Sequence, residues 1–294
     1  MEMQKDMDGA KKEDTLLQEQ LDFFWNNGYL VIPSVFNQEE INTLAEATSA
    51  PAIKSEQDKR GATEKLVHVL EITARCKLYE TLVMDRRLIA PVATLIGEDI
   101  ELQHSKLTTK PTVRGRGEAP WHQDFPFFPH TNTDLVAVCV AIDEINQNNG
   151  CLKMIAGSHR QGVLDHSEDG YFSSKCHVNT IPNWEENVMS VELKPGDISI
   201  HHCLTVHGSQ ENNSSNTRRM LVFQYRAADA YQLSADIWQD TGLLVNGKRS
   251  CHVRCTMQSI QLSRMKNFAW KSEYGGAWNQ EGGFAKAMND RNGS

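Results

Sequence analysis

The chain has no run of about 18 apolar residues, the length that crosses a bilayer as a helix, so no membrane span is expected. Its first residues, MEMQKDMDGAKKED, lack the apolar centre of a secretory signal, and the final RNGS is not a peroxisomal Ser-Lys-Leu address. A cytoplasmic protein is the resulting expectation. Basic residues are also in deficit. The 30 Lys and Arg against 38 Asp and Glu leave a formal charge of −8, without the basic footprint that nucleic acid or an anionic membrane surface demands. The seven cysteines are odd in number in a chain without an export signal, so free thiols are expected rather than a disulfide framework. The pair in CHVRC (251–255) has no second pair to complete a zinc site. No internal repeat is visible.

What is present is an ordinary globular composition. With 294 residues, 39% of them hydrophobic and 23% charged, the chain can bury a core, and one domain is expected over 14–294 behind a solvated tail at 1–13. A small molecule is the expected partner. Oligomeric state is left open.

The early part reads as helical. Asp14 is placed to cap a helix carrying Leu17, Leu21 and Phe24 and ending at NNG (26–28), and GYLVIPSVF (28–36) reads as a strand broken by Pro33. Asn37 and Glu40 form a capping box for a second helix over 37–50. Residues 51–64 are polar and punctuated, which predicts a loop, and 71–96 reads as two helical pieces separated near Pro91. From 99 the pattern changes to short β-rich runs at 99–110, 135–142, 150–158, 188–194, 197–208 and 218–226, separated by turn residues. The fold class implied is mainly β with flanking α-helices, built on a double-sheet jelly roll at about 99–228 and followed by an irregular extension over 229–294.

The most informative stretch is APWHQDFPFFPH (119–130). On a strand, His122 and Asp124 point the same way about 6 to 7 Å apart, which suits two ligands converging on one ion. HHCLTVHGSQENNSSNTRR (201–219) offers His201, His202 and His207 as a third ligand, and two histidines with one carboxylate is the facial triad of non-haem Fe(II) oxygenases. Arg218 lies eleven residues beyond His207, where a hairpin returns it to the same pocket, and its planar fork suits a carboxylate. A co-substrate that chelates iron at one end and carries a carboxylate at the other has that layout, as 2-oxoglutarate does. Trp121, Phe125 and Phe127 are candidates for substrate contact, or else plain core. The RGRGE run (114–118) reads as a loop, and Asn149-Gly150 as a hairpin turn.

The text WHQDFPFFP (121–129), NNGCLKMIAGSH (148–159), LKPGD (193–197) and HGSQENNSSNTRR (207–219), with KP at 110–111 and LDFFWNNGYLVIPSVFNQEEI at 21–41, resembles the phytanoyl-CoA dioxygenase family, which includes ectoine hydroxylases. The resemblance runs over roughly 15–228 in the family's order. It implies a cupin-like double-stranded β-helix, iron held by His122, Asp124 and His207, and Arg218 on the distal carboxylate of 2-oxoglutarate, with Arg219 its adjacent competitor. It further implies that Ser209 is a second donor to that carboxylate, that Lys106 and Thr108 face the co-substrate, and that Lys65 matches an upstream lysine reaching it. Cys139 stands where some relatives carry a bulky aromatic, which would enlarge the pocket.

The same resemblance implies that Fe(II), 2-oxoglutarate and O2 together oxidise an unactivated C–H bond of a small metabolite, releasing succinate and CO2. A carboxylate at 124 disfavours halogenation, because related halogenases carry a small residue there. Desaturation, cyclisation and epoxidation remain open beside hydroxylation. From another class, a non-catalytic metal- or metabolite-binding jelly roll is the alternative. A dioxygenase without a co-substrate would have no use for Arg218.

Overall fold

The computed structural model describes residues 15–61, 66–112, 117–234, 238–256 and 262. The expected tail at 1–13, the Asp14 cap, Lys65, positions 114–116 of RGRGE and the stretch from 263 onward lie outside the described residues. Among the described residues, six helices precede most of the sheet: α1 (Gln18–Asn27), α2 (Gln38–Ala47), α3 (Pro51–Gly61), α4 (Ile72–Arg75), α5 (Lys77–Leu82) and α6 (Arg86–Ile96). The strands are β1 (Tyr29–Ile32), β2 (Val67–Leu70), β3 (Ile100–Lys110), β4 (Ala119–His122), β5 (Leu135–Ala141), β6 (Leu152–Ile155), β7 (Ser167–Glu168), β8 (Tyr171–Phe172), β9 (Val188–Val191), β10 (Ile198–His202), β11 (His207–Ser209), β12 (Arg218–Ala227) and β13 (Leu243–Asn246). Among the described residues no helix is long and apolar enough to cross a membrane.

Two antiparallel sheets make the core. The major sheet runs β1-β10-β5-β12-β3-β13, with β2 also paired to β3, and the minor sheet runs β4-β11-β6-β9. The fully buried run of β5 shows why a strand can lose its alternation of polar and apolar residues. Val136, Val138 and Val140 pack with helix residues such as Phe24, Ile41, Tyr79 and Leu88, while Ala137, Cys139 and Ala141 pack with Met154 and Val191 of the minor sheet. One face lies under the helices and the other faces the second sheet. The space between the sheets is therefore where polar side chains of β3 and β12 can meet the ends of β4 and β11.

The capping box at α2 is as expected, with Glu40 N donating to Asn37 Oδ1 at 3.0 Å and Asn37 N donating to Glu40 Oε2 at 2.9 Å. Three expectations for the helices fail. Residues 51–61 are helical, not a loop. Pro51 opens α3 at a position where its missing N–H costs nothing, and Lys54 and Asp58 pair at 2.6 Å one turn apart. An apolar pattern could not reveal this helix, because Ile53 is the residue it buries. Pro91 does not divide its segment: it lies inside α6, where Leu88, Val92, Leu95 and Ile96 are buried and hold the helix despite the lost hydrogen bond. The breaks fall instead at Cys76 and at Val83–Asp85. Finally, α1 begins at Gln18, with Leu17 rather than Asp14 as its N-cap.

The expected strand at 197–208 is two strands of different sheets, β10 in the major and β11 in the minor. The turn at 203–206 carries the chain across the gap, so the histidines at 201 and 207 reach the same space from opposite sides. Residues 243–246 extend the major sheet at β3, so part of the C-terminal extension is built into the sheet.

Candidate metal centre

His122 ends β4 and pairs in register with His207, the first residue of β11. Asp124 is not on the strand. Its backbone turns helical (φ −69°, ψ −37°) as the cap of a short 3-10 turn over Phe125–Phe127, with Pro126 setting the turn. The strand-face argument for the His-x-Asp pair is thus replaced by a strand-end turn, which folds the carboxylate back toward the imidazole. Gln123, between the two, anchors that turn by donating to the carbonyls of Gly162 and Leu204 and accepting from Leu164 N, all at 2.8 Å.

The three side chains converge. Asp124 Oδ1 lies 3.8 Å from Nε2 of both His122 and His207, and the three ligand atoms lie within 4.8 Å of one another, buried. His122 Nδ1 lies 2.8 Å from the Pro120 carbonyl and His207 Nδ1 2.9 Å from the Thr205 carbonyl. A carbonyl only accepts, so each Nδ1 carries the proton and each Nε2 presents a lone pair to the centre. Burial keeps both rings neutral: His122 is held well below the ordinary histidine range, and His207 is pushed down to about 4. Burial works the other way on Asp124. His207, the hydrogen bond from His201 and the Lys106 charge outweigh it and hold the carboxyl well below its ordinary range.

Neither His201 nor His202 joins this cluster. His201 Nε2 donates instead to Asp124 Oδ2 at 3.2 Å, and Gln224 Nε2 donates to the same oxygen, which leaves Oδ1 for an ion. Burial opposes a charged His201, but the bonds to Asp124 and Cys139 prevail and raise it to about 9. Gln224 carried no signal in the sequence, and His201 stood there only as a candidate ligand, because the role of each exists only once β10 and β12 flank β5.

A pocket with an empty volume of about 480 Å³ opens on the triad, lined also by Lys106, Thr108, Lys110, Ser209 and Arg218. Alternation on β3 sends Lys106, Thr108 and Lys110 to this face, and Arg218 of β12 is the register partner of Lys110. Arg218 is buried. Its Nη2 donates to the Gly150 carbonyl at 3.0 Å, while Nε and Nη1 are buried without a partner. Arg219, one residue on, turns to the other face and grips Asp143 with two bonds of 3.0 and 2.7 Å. Lys110 Nζ donates to Ser209 Oγ at 2.7 Å and to the Gln210 carbonyl, and burial and the Arg218 charge press it down to about 6. Gly150 is obligatory here. It has φ +80°, and a Cβ would fall 2.4 Å from the Gln210 carbonyl oxygen and 2.8 Å from Lys110 Nζ.

The aromatic candidates lie in the walls. Trp121 packs edge-on against Trp184, Phe125 is fully buried, and Phe127 meets His122 edge-on at 5.7 Å; none of the three lines the pocket. Cys139 does line it. Cys251 and Cys255 are exposed free thiols, and Arg254 between them pairs with Asp134 and Asp229.

The donor set fits Fe(II) with 2-oxoglutarate: a two-histidine, one-carboxylate face with open positions, and beyond it a buried guanidinium with two unsatisfied donors. Comparison with known proteins agrees. The model of the family described as phytanoyl-CoA dioxygenase (PhyH) matches residues 24–220. A probable alpha-ketoglutarate-dependent hypophosphite dioxygenase of Stutzerimonas stutzeri is 32% identical over 240 residues, covering 74% of this chain and 81% of that protein. Ectoine dioxygenase of Sphingopyxis alaskensis is 27% identical over 69% of this chain and 74% of its own. The crystal structure of EctD from S. alaskensis with 2-oxoglutarate and 5-hydroxyectoine shares the fold, with a TM-score of 0.65 at 22% identity over 81% of this chain and 87% of that one. The sheets, the convergent triad and the sequence match together show that this chain belongs to the phytanoyl-CoA dioxygenase family of Fe(II)- and 2-oxoglutarate-dependent oxygenases.

Proposed function

We propose that this protein hydroxylates, or otherwise oxidises, an unactivated C–H bond of a small molecule, with His122, Asp124 and His207 as the iron ligands and Arg218 as the partner of the distal 2-oxoglutarate carboxylate. Bound iron would supply the oxidising power, coupling oxidative decarboxylation of 2-oxoglutarate by O2 to oxidation of the substrate. The protein's own residues orient the parts. His201 and Gln224 hold Oδ2 of Asp124, and the Pro120 and Thr205 carbonyls hold the two rings.

The observation that carries this reading is the pair of buried, unpartnered Arg218 donors in the same pocket as the triad. A buried guanidinium left open in this way is costly without an anion, and a carboxylate satisfies it in a bidentate grip. Ser209, held by Lys110, and Thr108 stand beside that grip. The net charge of −8 and relatives named for hypophosphite and ectoine support a small-molecule substrate, and we place the enzyme in the cytoplasm as a single domain over 14–294.

The test is anaerobic titration with Fe(II) and 2-oxoglutarate, reading the visible charge-transfer band of the chelate in wild type and His207→Ala. A band present in wild type and absent in the variant is the expected result. No band in either would leave a non-catalytic binding protein as the reading.

A further inference from the structure

Two separate positive poles face the pocket. One is Arg218 on β12, whose charge bears on its β3 register partner Lys110. The other is Lys106, four residues back along β3 on the same face, about 13 Å away along the strand. Lys106 lines the pocket together with His122, Asp124 and His207, and its charge bears on all three. Among the described residues, Lys106 has no hydrogen bond and no carboxylate within 4.0 Å; its Nζ sits 4.5 Å over the ring of Trp238. The candidate metal ligands themselves are already held, although Gln224 Oε1 and His104 Nε2 are buried without a partner among the described residues. Asp124 has His201 and Gln224, and the ring Nδ1 atoms have their carbonyls.

A charge balance shows what Lys106 lacks. The two charges of Fe(II) and that of Arg218 are matched by Asp124 and the two carboxylates of 2-oxoglutarate. Lys106 is left over, without counting Lys110 or His201. Burial presses the half-buried Lys106 toward its neutral form, the Asp124 charge opposes this from beyond contact distance, and an anion resting on the amine would favour its charged form. The same pocket must hold the metal, the co-substrate and the substrate, which leaves little room for the third. Val222, the register partner of Lys106 on β12, gives the pocket an apolar wall beside it.

We propose that Lys106 is the recognition residue for the primary substrate, and that this substrate is a small oxyanion, a short-chain phosphonate, sulfonate or carboxylate, whose charged group rests on the Lys106 ammonium beside Trp238. The shared chemistry is a compact anionic head on a short apolar body. The proposal rests on Arg218 serving the co-substrate, since only then is Lys106 free for a second anion.

The experiment uses the full chain loaded anaerobically with Fe(II) and 2-oxoglutarate. Methylphosphonate, methanesulfonate and propionate are titrated calorimetrically against wild type, Lys106→Met and Lys106→Arg, with propionamide as the neutral control. The expected result is binding of at least one anion to wild type, weakening of tenfold or more in Lys106→Met, recovery in Lys106→Arg, and no binding of propionamide. The visible 2-oxoglutarate band should titrate within about twofold of wild type in both variants, which also shows that they are folded and loaded. Equal anion affinity in Lys106→Met, or no anion binding by loaded wild type, overturns the proposal. Loss of the 2-oxoglutarate band in Lys106→Met as severe as in Arg218→Ala also overturns it, assigning Lys106 to the co-substrate. No band in wild type would instead defeat the co-substrate reading itself, and this inference with it.

Discussion

On the minor-sheet side of the pocket the candidate metal-binding groups are already held by hydrogen bonds, whereas on the major-sheet side the cations keep donors to spare. His122 and His207 each give Nδ1 to a carbonyl two residues back, and Asp124 Oδ2 takes two hydrogen bonds. Arg218 satisfies one nitrogen of three, and Lys106 none. The difference follows from local structure. The ligands sit at strand ends and turns, where backbone carbonyls are available to them. The cations sit mid-strand or at register positions of long strands whose backbone groups are consumed by pairing, so only a ligand can satisfy them. The metal side is thus built for geometry and the anion side for affinity.

The largest break in that comparison is Arg218→Ala. Two charge-assisted hydrogen bonds worth about 1.5–3 kcal/mol each disappear, so 2-oxoglutarate affinity should fall by at least about a hundredfold while metal binding persists. Titrating metal and co-substrate separately checks it; equal loss of both would mean the two sides are not independent.

On the other side, Gln224→Leu frees Oδ2 of Asp124 and should weaken metal affinity by about 10- to 100-fold, the usual scale for groups that orient a metal ligand. Isothermal titration with a redox-silent divalent metal reads this directly. Unchanged affinity would show that His201 alone suffices.

A smaller effect concerns pH. Lys110, pressed down to about 6, is mostly neutral at pH 7 in the empty pocket. A bound carboxylate favours its charged form and raises it, so the complex binds more protons than the free protein. Affinity for 2-oxoglutarate should therefore fall as pH rises above about 6, by up to about tenfold per unit, and Lys110→Met should flatten that slope. A slope unchanged in Lys110→Met would remove Lys110 from the site.

The smallest effect is expected from Arg219→Ala. Its partner Asp143 lies on the opposite face of the sheet, so stability should drop by about 1 kcal/mol in a denaturant titration, with 2-oxoglutarate affinity unmoved. Loss of co-substrate binding here would exchange the assigned roles of the two arginines.

Particular residues show how far the chain could be read. Asn37 with Glu40 announces α2, because a capping box is a contact between neighbours in sequence. The segment at 51–61 reads as a loop because an apolar pattern is silent where so little is buried; Pro51 and the Lys54–Asp58 spacing were the signals available for α3. Pro91 misled for the opposite reason: burial against the sheet outweighed a local penalty. At the site, Lys110 stood in view beside Pro111 and drew no role, since its contact with Ser209 spans 99 residues.

By itself the sequence determined the ligand types, the guanidinium beyond them, the strand-rich core and the family, because these depend on residue identity and on short spacings. Tertiary structure decided which of three histidines completes the triad, which of two adjacent arginines faces inward, and that Lys106 lines the pocket with the triad. Those outcomes depend on strand register and on the turn at 203–206 that carries the chain between sheets, and register is set by the summed packing of both sheets rather than by the residues that use it.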